Sequence, residues 1–223
     1  LTEALAGPVR KPMRHMPDMT LEQAWKELVP YFPTTKIVKS KKINGERVFY
    51  PEPIQVPITA YNSPSGMARR LMGKNYKTAK EDVDADADYG IPTTVKGLSL
   101  LPAKSMAKTK LPKFRSIDAC VGASGACIAG CLVYSGHNDI DPYNAAVKAN
   151  RFQALVERPE AFVRMLSESI TIHGKSRGFE SYVRLNVFSD LPWELMFPAL
   201  FETHSSMRFY DYTKVMNRTT PAN

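Results

Sequence analysis

Only three cysteines occur in the 223 residues, all between positions 120 and 131. So few, so closely spaced, they exclude the disulfide framework of a small secreted domain and leave a metal site or a thiol centre. No apolar run approaches the ~18 residues that cross a bilayer, and the opening LTEALAGPVRKPMRHM has no signal-type apolar core, so no membrane partner is expected. The chain also lacks a phosphate-binding glycine loop, a dinucleotide fingerprint, a Ser-His-Asp order and an H-E-x-x-H pair. Those absences remove nucleoside triphosphatases, ordinary dehydrogenases and zincin proteases from the leading readings. Acid is in deficit, with 22 Asp+Glu against 30 Lys+Arg and a formal net charge of +8. That balance favours a polyanionic partner.

What is present suffices for a core. Hydrophobic residues make up 43% and aromatics 10%, which argues against wholesale disorder. The length fits one domain, or one domain with a long arm. The chain opens on Leu1 and stops at Pro221-Ala222-Asn223, so an alternative start codon and a missing C-terminal segment are expected.

The pattern along the chain divides near residue 92. In the first part, Arg10, Lys11 and Arg14 lie in an aperiodic basic arm. Thr20-Leu21-Glu22-Gln23 is a capping-box sequence, and Leu21, Trp25 and Leu28 follow at helical spacing until Pro30 and Pro33. Residues 36–62 read as extended, with Pro51, Pro53 and Pro57 confining them to edge strands or arms. The stretch 63–92 is small, polar and acidic and reads as a solvated loop; Asp82, Asp84, Asp86 and Asp88 alternate like the start of a calcium loop but lack its glycine and distal Glu.

The second part, 93–223, alternates. Gly97–Leu101 reads as a buried strand, Asp141-Pro142 and Arg158-Pro159 open two helices, and Phe162, Leu166, Ile170 and His173 fall on the inner side of the second, which Gly174 ends. Tyr182–Phe188 is a strand with Val183, Leu185 and Val187 on one face. Asp190-Leu191-Pro192 caps a helix through Trp193, Phe197 and Leu200, kinked at Pro198, and Arg208–Tyr212 is a last strand. His173 and His204, near helix ends, suit the dipole there. The fold class is therefore α/β: a partial (β/α)-barrel or a small open parallel sheet, preceded by a helix and proline-rich edge strands. In either form functional groups gather at the C-terminal ends of the strands.

Three groups carry chemistry. Cys120, Cys127 and Cys131 have C-x6-C-x3-C spacing with Gly122 and Gly125 interleaved. Three thiolates suit an iron–sulfur cluster with an open iron, or three ligands of a zinc site completed by His137; buried structural thiols are the plainer alternative. Asn186, Ser189 and Asp190 end a strand where ligands are contacted, or else Ser189 and Asp190 simply cap the next helix. Asp211, between Tyr210 and Tyr212, with Lys214 beyond, suits an anion or a base, or else a solvated strand face. Separately, Lys104, Lys108, Lys110, Lys113 and Arg115 form an acid-free basic run that suits phosphates.

The segments CVGASGACIAGCLVYSGHN, AAVKANRFQALVERPEAFVRML, VRLNVFSDLPWELMF and RFYDYTKVMNR together resemble the gene-product-88-type proteins of mycobacteriophages and related plasmids, over roughly residues 95–223. The resemblance implies a phage-encoded protein working in the host cytoplasm and names relatives rather than a reaction. The order of cysteine loop, S-D strand end and T-K strand end is also similar to radical-SAM-like partial barrels, which would bring S-adenosylmethionine as cosubstrate. Against that stand the different cysteine spacing and the lack of a Gly-Gly-Glu strand end.

The expected function is a metal- or iron–sulfur-dependent enzyme acting on nucleic acid or nucleosides, DNA modification included. Asp190, Asp211 and Lys214 would be its catalytic groups, and Gly122, Gly125 and Ser189 would contact the cofactor. The alternative is a non-catalytic nucleic-acid- or host-protein-binding factor with a structural metal clip.

Overall fold

The computed structural model describes residues 12–74, 92–101, 119–120, 123–131, 142–175 and 180–213. Helix α1 (Leu21–Leu28) begins with the expected capping box: the Thr20 hydroxyl accepts from the Gln23 N–H at 3.1 Å, and the Gln23 side chain accepts from the Thr20 N–H at 2.7 Å. Ala24 and Leu28 are buried, and Trp25 Nε1 donates to the Tyr61 carbonyl at 2.8 Å. Pro30 lies in the single 3-10 turn that follows, Val29–Tyr31.

Strands β1 (Thr35–Ile43) and β2 (Glu46–Pro57) form an antiparallel sheet of their own. Asn44 and Gly45, at φ 48° and 87°, make the two-residue turn, whose left-handed backbone Asn-Gly adopts cheaply. Pairing runs from Ile43↔Glu46 to Ser40↔Phe49 and resumes at Val38↔Ile54. The skipped residues of β2 include Pro51 and Pro53, which have no N–H to give to a ladder. The prolines break the register without ending the strand.

Helix α2 (Pro64–Leu71) corrects the reading of a featureless loop from residue 63. The Ser63 hydroxyl caps it by accepting from the Gly66 N–H at 3.1 Å, and Met67, Ala68 and Leu71 are buried. Gly66 is required because a Cβ there would lie 2.8 Å from the Ala60 carbonyl oxygen. Asp82, Asp84, Asp86 and Asp88 lie outside the described residues.

The second sheet is parallel, as the alternation implied. Strand β3 (Thr93–Gly97) pairs with β4 (Glu180–Arg184), and β4 with β5 (Arg208–Phe209), in the order β3-β4-β5. It is an open three-stranded sheet, and no closed barrel forms among the described residues. The strands sit a few residues earlier than the hydrophobic runs suggested. Leu98–Leu101 and Leu185–Val187 lie past the strands; Leu98, Leu100, Leu101, Leu185 and Val187 are still buried there. Between β3 and β4 the chain forms α3 (Gly125–Ala129), α4 (Pro142–Glu157) and α5 (Pro159–Gly174).

Helix α5 is the centre of the core. Phe162, Leu166, Ile170 and His173 are all fully buried, as their spacing required, and α1, α2 and α4 pack around this helix. Between β4 and β5, Pro198 does more than kink a helix. Phe197 leaves helical geometry at φ −136° and ψ 59°, splitting the segment into α6 (Trp193–Met196) and α7 (Pro198–Thr203).

Candidate functional site

The C-terminal ends of the parallel strands collect polar side chains in an otherwise apolar interior. Beyond β4 the buried Asn186 is a hub. Its Oδ1 accepts from Ser189 Oγ at 2.8 Å, the Leu191 N–H at 3.0 Å and Trp193 Nε1 at 3.1 Å. Its Nδ2 donates to the Leu191 carbonyl at 2.9 Å and to Asp211 Oδ2. Beyond β5, Asp211 Oδ1 accepts from the Tyr212 N–H at 2.8 Å and lies 4.0 Å from Arg184 Nε. The Arg184 guanidinium lies over the Tyr212 ring at 4.7 Å. The carboxylate is thus ringed by two hydrogen-bond donors and a cation. Because the Asp211 side chain keeps 22% exposure while that of Arg184 keeps 7%, Asp211 is the group a ligand can reach.

An aromatic row leads out of this cluster. Tyr182, Tyr210 and Tyr212 meet edge to face at 6.3 Å and 6.3 Å, with Arg208 over Tyr182 at 5.7 Å. Tyr212 is 65% exposed, with Arg184 over its ring.

The cysteine segment starts against the same strand end. The Cys120 thiol donates to the Phe188 carbonyl at 3.1 Å, and the Asp190 N–H donates to the Ala119 carbonyl at 2.6 Å. Ser124 caps α3 by accepting from the Cys127 N–H at 3.2 Å, so Cys127 sits in the first turn of that short helix. Cys131 is half-buried against the core, and all three thiols are free of disulfides. Among the described residues no three His, Cys, Asp or Glu side chains gather into a metal-holding group. A Cβ on Gly125 would meet nothing within 4 Å, so no close approach demands that glycine.

The structure thus brings Ser189, Asp190 and Asp211 to one end of the sheet, beside Cys120. Ser189 gives its hydroxyl hydrogen to Asn186, and Asp190 is 1% exposed. Neither caps the following helix as expected: α6 starts after Pro192 with no side-chain cap, because the Asn186 amide has taken over the local donors. Gly122, His137, Lys214, Lys104, Lys108, Lys110, Lys113 and Arg115 lie outside the described residues.

Sequence reasoning did not single out Arg184 or Lys148. Arg184 and Asn186 are the polar positions of the Val183–Val187 alternation, which patterning alone assigns to a solvent face, yet both are buried. Lys148, buried on α4, places Nζ 4.7 Å from the centre of the Phe188 ring. A further basic group lines the edge of β3 that faces away from β4. Reciprocal hydrogen bonds of 3.0 Å between Gly73 and Gly97 bring the end of α2 to this edge. There burial, then Lys74 and Arg69, lower the Lys96 pKa.

The two histidines lie at helix C-terminal ends as expected, His173 in the last turn of α5 and His204 at the C-cap of α7. His173 is fully buried, its Nε2 donating to the Tyr182 carbonyl at 3.0 Å. His204 lies 2.8 Å from Ser167 Oγ, and burial lowers its pKa against the opposing charge of Glu168.

A model of the family described as Gene product 88 matches residues 69–223. No curated protein and no solved structure matches the chain. The family match covers α2 from Arg69 onward, the parallel sheet, the cysteine segment and the whole strand-end cluster. The hairpin and α1 lie before it. No helix among the described residues is long and apolar enough to cross a membrane.

Proposed function

The chain belongs to the Gene product 88 family, and we propose that it is a phage-encoded protein that acts on nucleic acid or nucleosides at the C-terminal ends of its parallel strands, with the cysteine segment as a zinc or iron–sulfur centre. The observation that carries this is the docking of Cys120 on the Phe188 carbonyl, which sets a thiol-bearing segment against the Asn186–Asp211 cluster. Asp211 is the reachable carboxylate, suited to accept a proton or hold an amino group. The exposed Tyr212 ring suits a base, since every nucleobase has a π face to stack. Arg69, Lys74 and Lys96 supply cations for phosphates at the edge of β3. Asp190 and Ser189 act as positioning residues that fix the loop. Zinc would supply a Lewis acid beside this cluster, and a cluster would supply an electron.

The test is to purify the full chain anaerobically and assay iron, sulfide and zinc. About one zinc, or one cluster's iron and sulfide, per chain is expected, lost in Cys120→Ser, Cys127→Ser and Cys131→Ser variants that keep the native circular dichroism. Protein that is metal-free as purified and takes up neither on reconstitution would overturn the metal centre.

A second reading, a non-catalytic nucleic-acid- or host-protein-binding factor, is favoured by the Cys120 hydrogen bond itself. A thiol that donates to a carbonyl holds two segments together. Under that reading Asp211→Ala leaves binding intact, while Cys120→Ala, which removes the donor to the Phe188 carbonyl, weakens the fold.

A further inference from the structure

The β1–β2 hairpin is unlike the rest of the molecule. It pairs with neither edge of the parallel sheet, and within β2 every residue is exposed except Tyr50 and Val56, which are half-buried. Its base is held firmly: the Ile58 N–H donates to the Thr34 carbonyl at 2.7 Å, and Phe32 and Tyr61, buried just outside the two strands, stack at 4.7 Å. Large apolar groups are nonetheless left in solvent near its tip, Phe49 at 70% and Val48 at 41% exposure. Apolar groups on the edges of an unpaired ribbon offer a docking surface.

Its charge is also one-sided. Lys36, Lys39, Lys41, Lys42 and Arg47 face only Glu46 and Glu52 over residues 35–57. The register sets Lys42 directly opposite Arg47, one step from the tip pair Ile43↔Glu46 and two from Ser40↔Phe49. Like charges directly across a ladder repel, and an anion between them removes the penalty. Two antiparallel strands about 5 Å apart, with side chains, match the ~12 Å major groove of duplex DNA. From Lys36 to Ile43 the ribbon runs about 23 Å, enough to follow roughly seven base pairs.

We propose that the hairpin is a DNA-binding arm that lies in a groove of duplex DNA, its cations on the phosphates and Phe49 against the base edges. This rests on the nucleic-acid part of the reading above and adds a duplex contact on residues distinct from the strand-end cluster. The arm adds reach and orientation, holding a duplex while the strand-end cluster does its work. Duplex DNA fits better than a second copy of the chain, because two copies would bring the same cations together.

The experiment measures binding of the full chain to a 20-base-pair duplex, to its separated strands and to vesicles containing anionic lipid, across a salt series. Lys42→Glu with Arg47→Glu is expected to weaken duplex binding at least ~10-fold and to reduce the salt slope by about two, with thermal stability unchanged. Phe49→Ala, which keeps the charge, is expected to weaken it less and leave the salt slope alone. Duplex binding untouched by both but lost in Arg69→Glu with Lys96→Glu would overturn the arm while keeping nucleic-acid binding. Absence of binding to any oligonucleotide would overturn both. Equal affinity for single strands, preference for vesicles, or a dimer dissolved by Phe49→Ala would each overturn the groove.

Discussion

In the β1–β2 hairpin nearly every residue of β2 faces water, whereas in the parallel sheet Thr93, Thr94, Val95 and Gly97 of β3 are all buried. The hairpin's order comes from local chemistry: an Asn-Gly turn and a ladder that tolerates prolines because both strands are edges. The parallel strands are ordered by what covers them, with α5 packed near their buried side chains and Asn186 tying the strand end to Trp193 and Asp211. The family match respects the same boundary, since it begins at residue 69 and leaves the hairpin out. One sheet is free to be a binding arm because stability does not depend on its faces. The other must hold its polar groups in fixed places because they are buried.

The sharpest way to break this contrast is to remove matched aromatic side chains. Phe162→Ala, in the fully buried centre of α5, is expected to cost about 3–5 kcal/mol in urea or thermal unfolding. Phe49→Ala should stay within about 0.5 kcal/mol, and a comparable loss at Phe49 would mean the hairpin is part of the core. Next comes Asn186→Ala. Its carboxamide satisfies the Ser189 hydroxyl, the Leu191 N–H and the Trp193 indole, so truncation strands several buried donors at once. A loss of roughly 3 kcal/mol is expected, and Trp193 fluorescence should change with it. Gly66→Ala ranks third, since the new Cβ meets the backbone of Ala60, and melting should report about 1–3 kcal/mol.

The smallest effect is a pH dependence. Burial lowers the His204 pKa below its ordinary 6.5, so protonation favours the unfolded chain. Its contribution is therefore complete above 6.5 and is lost as pH falls from there through the folded-state value. Urea midpoints measured downward from pH 7.5 should decline in that window, and His204→Gln should flatten that part of the curve. An unchanged decline in His204→Gln would assign it to other groups.

Much of this architecture was legible in the residues. Thr20-Leu-Glu-Gln announced its capping box, Phe162, Leu166, Ile170 and His173 announced a buried helix face, and alternating helices and strands announced parallel pairing. Where the reading slipped, burial or a hidden hydrogen bond had overridden the local signal. Helix α2 opens on Pro64-Ser65-Gly66, residues that read as a turn, and its apolar set is confined to Met67, Ala68 and Leu71, so Ser63-Pro64 was its one marker. Ser189 and Asp190 resembled caps, but Asn186, beyond the strand end, captured the amide and indole they would have competed for. Arg184 was missed because its partner Asp211 lies 27 residues on, and only the sheet brings them together. The position of the cysteine segment after a strand did not reveal that Cys120 holds the Phe188 carbonyl.

Hydrogen exchange of the full chain, with and without a 20-base-pair duplex, followed by mass spectrometry, tests the central claim most directly. Slowed exchange is expected in two separate places, residues 36–49 of the hairpin and residues 184–212 at the strand ends, with α5 unchanged. Protection confined to surfaces other than these two would contradict it.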